Sequence, residues 1–552
     1  MSLTVLSRVA ALLLLFVALL HASALPAVSS YEFTAYRMQQ YNIQQKRHGC
    51  RGARVQAEAR SADEPVLTRR CVIMKLLDFS IERYLEALRQ TAAAVLILLP
   101  KNISAVHQDI IQSFMVGESE ALLRDTIIPT YVVPEDEQLL FMYEEVKHAA
   151  ATRASSILVR VLRSMVIASA FQILVTNTKP IKPITDNTIT TLEGVLPGAG
   201  EDLPTIIITA HYDSYGLSPW LSYGADSNGS GVTILLELAR LFRKLYSSTH
   251  SQPPYHLLFS LTGGGKYNFI GTKKFIEENM DHAETSLLHD NVAFVLCLDT
   301  LANGDELFLH VSRPPKPGTP QHTFVQQLEL VVSSRFPWVK LGMVHKKINL
   351  GETTVAWEHE RYAIRRIPGF TLSHLGDPKA ELRGSILDTM LHVDLRKMKR
   401  NAIIIAESLA RFMYNLSDKD SPKDIQVFKG QMEFQDSRMS TLMSLLASLP
   451  RAMQLDKEPK NALLVNSLEH ELRHYLHQVH RHTFRQDKRD PELTFFDQME
   501  QPMMMYRIKP AAFDLFLGGC IAAYLGTVYY AIQNFEYLYT KLKAAVKSKQ
   551  QF

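Results

Sequence analysis

The sequence predicts an α/β fold, and three features of it carry that prediction. The run Thr205-Ile206-Ile207-Ile208-Thr209-Ala210 is continuously apolar and β-branched, the pattern of a central strand covered on both faces. Gly229-Ser230-Gly231 then opens a helical run over 232–246, and further apolar strands follow at 257–261 and 295–299. Upstream, strand and helix patterns already alternate between 93 and 150. Such alternation builds a sheet flanked by helices, with functional residues at the carboxyl ends of its strands.

Taken in order, Arg8, an apolar run over 9–20 and the small residues Ala22-Ser23-Ala24 read as a signal peptide over 1–24, too short to span a bilayer. Residues 25–197 form a smaller N-terminal α/β portion, with strands at 93–99, 127–133, 167–175 and 189–196 and helices at 107–122 and 135–150. Within it the polar, basic stretch 51–70 reads as a solvated loop. Residues 198–418 hold the main core, which closes with an amphipathic helix over 395–414 containing Ile403, Ile404, Ile405 and Leu409. Residues 419–510 read as a helical juxtamembrane region.

Residues 511–533 are the expected transmembrane helix. No charged side chain lies between 515 and 532, and eighteen helical residues cover roughly 27 Å. Gly518, Gly519, Ala522, Ala523 and Gly526 would let another helix approach closely, and glycine is also simply common in such spans. A tail over 534–552 carries Lys541, Lys543, Lys547 and Lys549 and is expected to be cytosolic. The predicted topology is single-pass type I, with the bulk of the chain lumenal. The sequons at Asn102, Asn228 and Asn415 fit that placement. So does a candidate disulfide between Cys50 and Cys71, while Cys297 lies in a core strand and Cys520 in the span. The chain is 552 residues long with a formal net charge of +4, too slight to mark a nucleic-acid binder.

The chemistry-bearing residues gather at the ends of the core strands. His211 and Asp213 follow the strand at 205–210, and Asp226-Ser227-Asn228 precede the helix at 232–246. This arrangement resembles the co-catalytic di-zinc aminopeptidase superfamily and implies a zinc-aminopeptidase-like mixed sheet with flanking helices. By that register His211 and Asp299 keep ligand positions. Ser227 stands where a carboxylate should bridge two metals, Gly265 where a general base should be, Lys266 where a glutamate ligand should be, and Gly384 where a terminal histidine should be. A hydroxyl cannot offset the repulsion between two dications about 3.5 Å apart. A glycine moves no proton, and an ammonium offers no lone pair. The expectation is a pseudoenzyme with no metal and no cofactor, in which His211, Asp213 and Asp299 serve as a hydrogen-bond network. A glycan at Asn228 would crowd the former cleft; alternatively, Asn228 is a buried loop residue that is never modified.

The segments G-A-D-S-N-G-S-G at 224–231, L-T-G-G-G-K-Y-N-F-I-G-T at 261–272 and R-G-S-I-L-D-T at 383–389, with the late apolar span, resemble the nicalin family of nicastrin-like endoplasmic reticulum proteins. That resemblance implies a non-catalytic lumenal scaffold in the endoplasmic reticulum membrane. It also implies partners: a nodal modulator-type lumenal protein, a small multipass membrane protein and the translocon, acting in multipass membrane protein biogenesis. The competing reading is a zinc peptidase, through a rearranged site or through His470-Glu471-Leu472-Arg473-His474, an H-E-x-x-H pattern with His477 on the same helical face and His480 at a third-ligand spacing. Against it, His477 replaces the glycine at which such chains turn, and no sheet is expected nearby to carry a cleft. A third reading keeps the cleft as a receptor for a client amino terminus, which Lys266 would repel.

Overall fold

The computed structural model describes residues 30–152, 170–177, 179–200, 202–281, 291–416, 425–487, 489, 491–508 and 511–549, so the predicted signal peptide over 1–24 lies outside the described residues. In chain order the N-terminal elements are β1 (Ser30–Arg37), β2 (Gln40–Ile43), β3 (Lys46–Cys50), β4 (Gln56–Ser61), β5 (Cys71–Lys75), α1 (Ile81–Arg89), β6 (Ala94–Leu99), α2 (Gln108–Leu123), β7 (Asp125–Thr126), β8 (Thr130–Pro134), α3 (Glu137–Thr152), β9 (Ala170–Val175) and β10 (Pro183–Ile184). The core follows with β11 (Thr188–Leu196), β12 (Thr205–His211), α4 (Gly231–Leu245), β13 (His256–Thr262), α5 (Ile270–Asp281), β14 (Val292–Leu298), β15 (Glu306–Val311), α6 (Pro320–Arg335), β16 (Lys340–His345), α7 (His359–Ile364), β17 (Gly369–Ser373) and α8 (Leu395–Met413). The C-terminal part comprises α9 (Asp436–Ser448), α10 (Pro459–Tyr475), β18 (His477–Arg485), β19 (Leu493–Phe496), β20 (Glu500–Ile508), α11 (Ala511–Gln533) and α12 (Phe535–Lys549).

Eight strands form the central sheet in the order β16-β15-β17-β14-β12-β13-β11-β18. β12 runs parallel to both β13 and β14, and all seven of its residues are buried, as its apolar run requires. Its inner faces pack on α4, whose residues 231–242 are all buried. On α8, Asp394 caps the first turn by accepting from the Arg396 and Lys397 amides.

The N-terminal strands do not form an open sheet. β1-β20-β9-β4-β5-β6-β8 close into a barrel, and β10-β19-β2-β3-β7 form a third sheet. Three expectations are corrected by this arrangement. Residues 51–70 contain β4, with Ala57 and Ala59 buried inside the barrel, so that stretch is not simply a loop. β11 belongs to the central sheet rather than to the N-terminal portion. The region 419–510 is not purely helical, because β18, β19 and β20 each join a different sheet. Their histidine, arginine and methionine content hid the strand alternation.

Cys50 and Cys71 are both buried free thiols, which corrects the candidate disulfide. They lie in different sheets, and the Cys50 thiol donates to the Ile128 carbonyl oxygen at 3.0 Å. Among the described residues no helix is long and apolar enough to cross a membrane.

Candidate functional site

His211 and Asp213 leave β12 at its carboxyl end, and the turn over residues 225–230 carries Asp226, Ser227 and Asn228 beneath the first turn of α4. All five side chains are buried. The loop after β13 supplies Gly265 and Lys266, β14 ends just before Asp299, and the short turn Glu381–Gly384 brings Arg383.

The two substituted positions meet each other. Lys266 Nζ donates to Ser227 Oγ at 2.5 Å, so the ammonium stands against the hydroxyl at the position where the sequence register expects a bridging carboxylate. Burial lowers this ammonium to about 8, with Asp299 opposing the shift and Arg383 adding to it. The retained Asp299 is also taken up by the chain: Arg383 reaches its Oδ2 at 2.5 Å and Thr300 its Oδ1 at 2.6 Å. Burial alone would raise the Asp299 carboxyl, but Arg383, His211 and Lys266 together hold it well below the usual range. Arg383 is itself held with its guanidinium 4.2 Å above the ring of Trp357. Arg383 thus pairs with the Asp299 carboxylate, while Lys266 occupies the space beside Ser227.

The remaining acids are turned toward backbone. Asp213 accepts from the Gly265 and Lys266 amides at 2.7 and 3.0 Å. Asp226 accepts from the Ala302 amide at 2.8 Å, and its other oxygen lies 2.8 Å from His374 Nε2. His374, which directly follows β17, thus reaches the site. Asp388 accepts from the amides of Asp226 and Ser227, and burial beside Asp226 raises it to about 7. Burial pushes the His211 imidazole well below its usual range, with Asp299 opposing the shift; Nδ1 lies 3.5 Å from the Asn228 amide.

Glycine at 265 is a packing requirement. A Cβ built there would stand 2.3 Å from both Cβ and Cγ of His211. Gly384 is less confined: its nearest neighbour would be Tyr215 Cδ1 at 3.2 Å. Among the described residues no group of three or more histidines, cysteines and carboxylates is arranged to hold a metal ion.

Asn228 is fully buried. Its amide donates to the Leu298 carbonyl at 2.7 Å, and its Oδ1 accepts from Gly231 and Thr300. The folded chain therefore has no room for a glycan at that amide, whereas Asn102 and Asn415 are exposed.

The H-E-x-x-H segment is divided by the structure. α10 ends at Tyr475, so His477 and His480 belong to β18 and the histidines do not share one helical face. Glu471, which would serve as the base, is paired with Arg438 at 2.6 Å.

Two buried charges had no signal in the sequence. Arg451, from the segment between α9 and α10, donates to the carbonyls of Tyr212, Tyr223 and Gly224 at 2.6, 2.9 and 2.5 Å. Glu118 of α2 accepts from the amides of Leu217 and Ile386 and from Ser385 Oγ, tying the barrel to the site loops. Burial raises Glu118 to about 7, its three donors opposing. A carboxyl raised on folding contributes stability that is full below its unfolded pKa and lost as pH rises through the folded value. Chemical denaturation of wild type and Glu118→Gln at pH 5 and pH 8 should therefore show wild type losing stability relative to the variant on going to pH 8, by about 1–3 kcal/mol. A pH-independent difference would show that Glu118 does not titrate in this range.

Comparison with known proteins follows this geometry. The model of Peptidase family M28 matches residues 187–335, which span the core from β11 through α6. The BOS complex subunit ncln of Danio rerio is 52% identical, with 94% of this chain and 93% of the relative aligned. The BOS complex subunit NCLN of Homo sapiens is 50% identical over 97% and 95%, and Nicalin of Caenorhabditis elegans 28% over 90% and 89%. The crystal structure of the gamma-secretase component Nicastrin superposes with a TM-score of 0.59 at 10% identity, covering 86% of this chain and 99% of that one, a likeness of fold alone.

Proposed function

This chain belongs to the nicalin family, whose members include the BOS complex subunit NCLN, and from that premise we propose that it is a non-catalytic scaffold subunit of an endoplasmic reticulum membrane complex. In this reading it assembles with a nodal modulator-type lumenal protein and a small multipass membrane protein. The complex works beside the translocon in multipass membrane protein biogenesis.

The observation that carries the non-catalytic reading is the Lys266–Ser227 contact, reinforced by the Arg383–Asp299 pair. A zinc ion entering the cleft would have to displace Arg383 from Asp299 and meet the Lys266 ammonium beside Ser227, without a bridging carboxylate to hold it. The chain keeps the fold and spends its former ligands on internal bonds.

Membrane attachment through 511–533 is part of the same proposal. α11 spans 23 residues, and Leu515, Leu525, Tyr529, Tyr530 and Ile532 along it are exposed. Apolar side chains in that density call for a lipid or protein environment. A Cβ added at Gly518, Gly519 or Gly526 would meet no atom within 4 Å, so the small-residue face is open to a neighbouring helix.

The test is to extract the full chain from its native membrane in mild detergent, then measure its mass and metal content. The expected result is a stable hetero-complex with well under one zinc ion per chain and no chelator-sensitive peptide cleavage. A monomer would sink the scaffold reading, and stoichiometric zinc would sink the non-catalytic one.

A further inference from the structure

The central sheet ends in a strand with nothing beside it. β18 pairs antiparallel with β11 from Thr188↔Arg485 to Val195↔His477, and among the described residues no strand lies on its far side. Nine residues long, it leaves a row of backbone donors and acceptors along its outer edge. Long open edges invite pairing with another chain unless something blunts them.

The side chains of this edge have one sign. His477, His480, Arg481, His482 and Arg485 lie on β18, which contains no carboxylate. His477, Gln478, His480, Arg481, Thr483 and Arg485 are exposed. Three of the nearby acids are engaged with the fold: His482 sits between Glu193 at 2.7 Å and Glu278 at 2.9 Å, and Glu469 pairs with Arg473 and Arg481, while Asp487 just beyond the strand is exposed. The His482 clasp fixes β18 against β11 and α5, so the edge is held in place rather than frayed. At its carboxyl end lies a cleft of about 230 Å³ whose lining includes Ile270 and Phe484, the bases Lys274 and Arg485 and the acids Asp487 and Glu492, large enough for one side chain of an arriving strand.

We propose that β18 is a strand-addition site for an extended, acidic segment of a lumenal partner protein, which continues the central sheet as a ninth strand. Main-chain bonds would supply the affinity, while the basic side chains and the cleft beside Phe484 would supply the register. A second copy of this chain does not fit, because edge-to-edge pairing would bring arginines and histidines against one another. The proposal rests on the reading of this chain as a complex subunit and locates one of its contacts.

The experiment uses the full chain in its native complex, extracted in mild detergent, with a photo-crosslinking amino acid at Thr483. A second preparation carries H477E/H480E/R485E. The expected result is a crosslink into an acidic extended segment of a partner. The triple variant should lose that partner at least tenfold with an unchanged melting temperature, and lysines placed at the crosslinked acids should restore it. A crosslink between two copies, a crosslink to a segment without acids, no crosslink from an intact complex, or a triple variant that keeps its full complement of partner would each overturn the proposal. A triple variant with a lowered melting temperature leaves the decision to the crosslink. Wild type travelling as a monomer would overturn the scaffold reading itself, and the strand addition with it.

Discussion

Gly265→Ala is expected to destabilise the fold by at least about 3 kcal/mol, read as a fall in melting temperature of roughly 6 °C or more. Overpacking a dense core by one methyl group commonly costs about 1–3 kcal/mol. This position belongs at or above the top of that range, because the new carbon would lie 2.3 Å from two atoms of His211. His211 cannot readily yield: it is fully buried, edge-on to Phe269 with ring centroids 5.8 Å apart, and adjacent to Asn228. Gly265→Glu, which puts a carboxylate where a zinc aminopeptidase would carry its general base, should be worse still and should not confer peptidase activity. A melting temperature for Gly265→Ala within 1 °C of wild type would show that the His211 ring has room to move, contrary to the packing described.

Arg451→Met should cost about 3–5 kcal/mol. The substitution keeps much of the volume of the side chain but removes the donors to three carbonyls, those of Tyr212, Tyr223 and Gly224. It also removes a cation near Asp388 and Asp213. Arg451 threads these bonds while its own amide donates to the Ser222 carbonyl and its carbonyl accepts from the Ser214 amide. The segment 214–224 should therefore loosen first, becoming sensitive to limited proteolysis before the global transition. Arg451→Lys should recover only part of the loss, since one ammonium cannot reach carbonyls that a planar guanidinium spans. Wild-type proteolysis kinetics in Arg451→Met would refute this assignment.

The central sheet was legible because β12, β13 and β14 are buried on both faces and announce themselves as uninterrupted apolar runs. The departures at Ser227, Gly265, Lys266 and Gly384 could be picked out by register against the aminopeptidase pattern. Counting could not say what the substitutes do: that Lys266 reaches Ser227, and Arg383 reaches Asp299, depends on loops folding toward each other across long sequence separations. The C-terminal strands were missed for a different reason. β18 is an edge strand with exposed polar side chains, and β20 carries Met503, Met504 and Met505, residues that do not favour a strand locally. Pairing with distant strands overrode that local preference. Glu118 and Arg451 gave no signal because a single charge has no periodicity, and its burial depends wholly on what folds around it.

The barrel has a consequence for the order in which the protein can be made. β1 runs beside β20 from Ser30↔Tyr506 to Tyr36↔Glu500, so its first strand waits for a neighbour encoded almost at the other end of the chain. During synthesis the N-terminal residues must persist with an unsatisfied seam until the ribosome has passed residue 508. Three residues later begins the helix proposed to enter the bilayer. Closure of the barrel and emergence of that helix are thus nearly simultaneous, and a chain released early exposes an open β-edge.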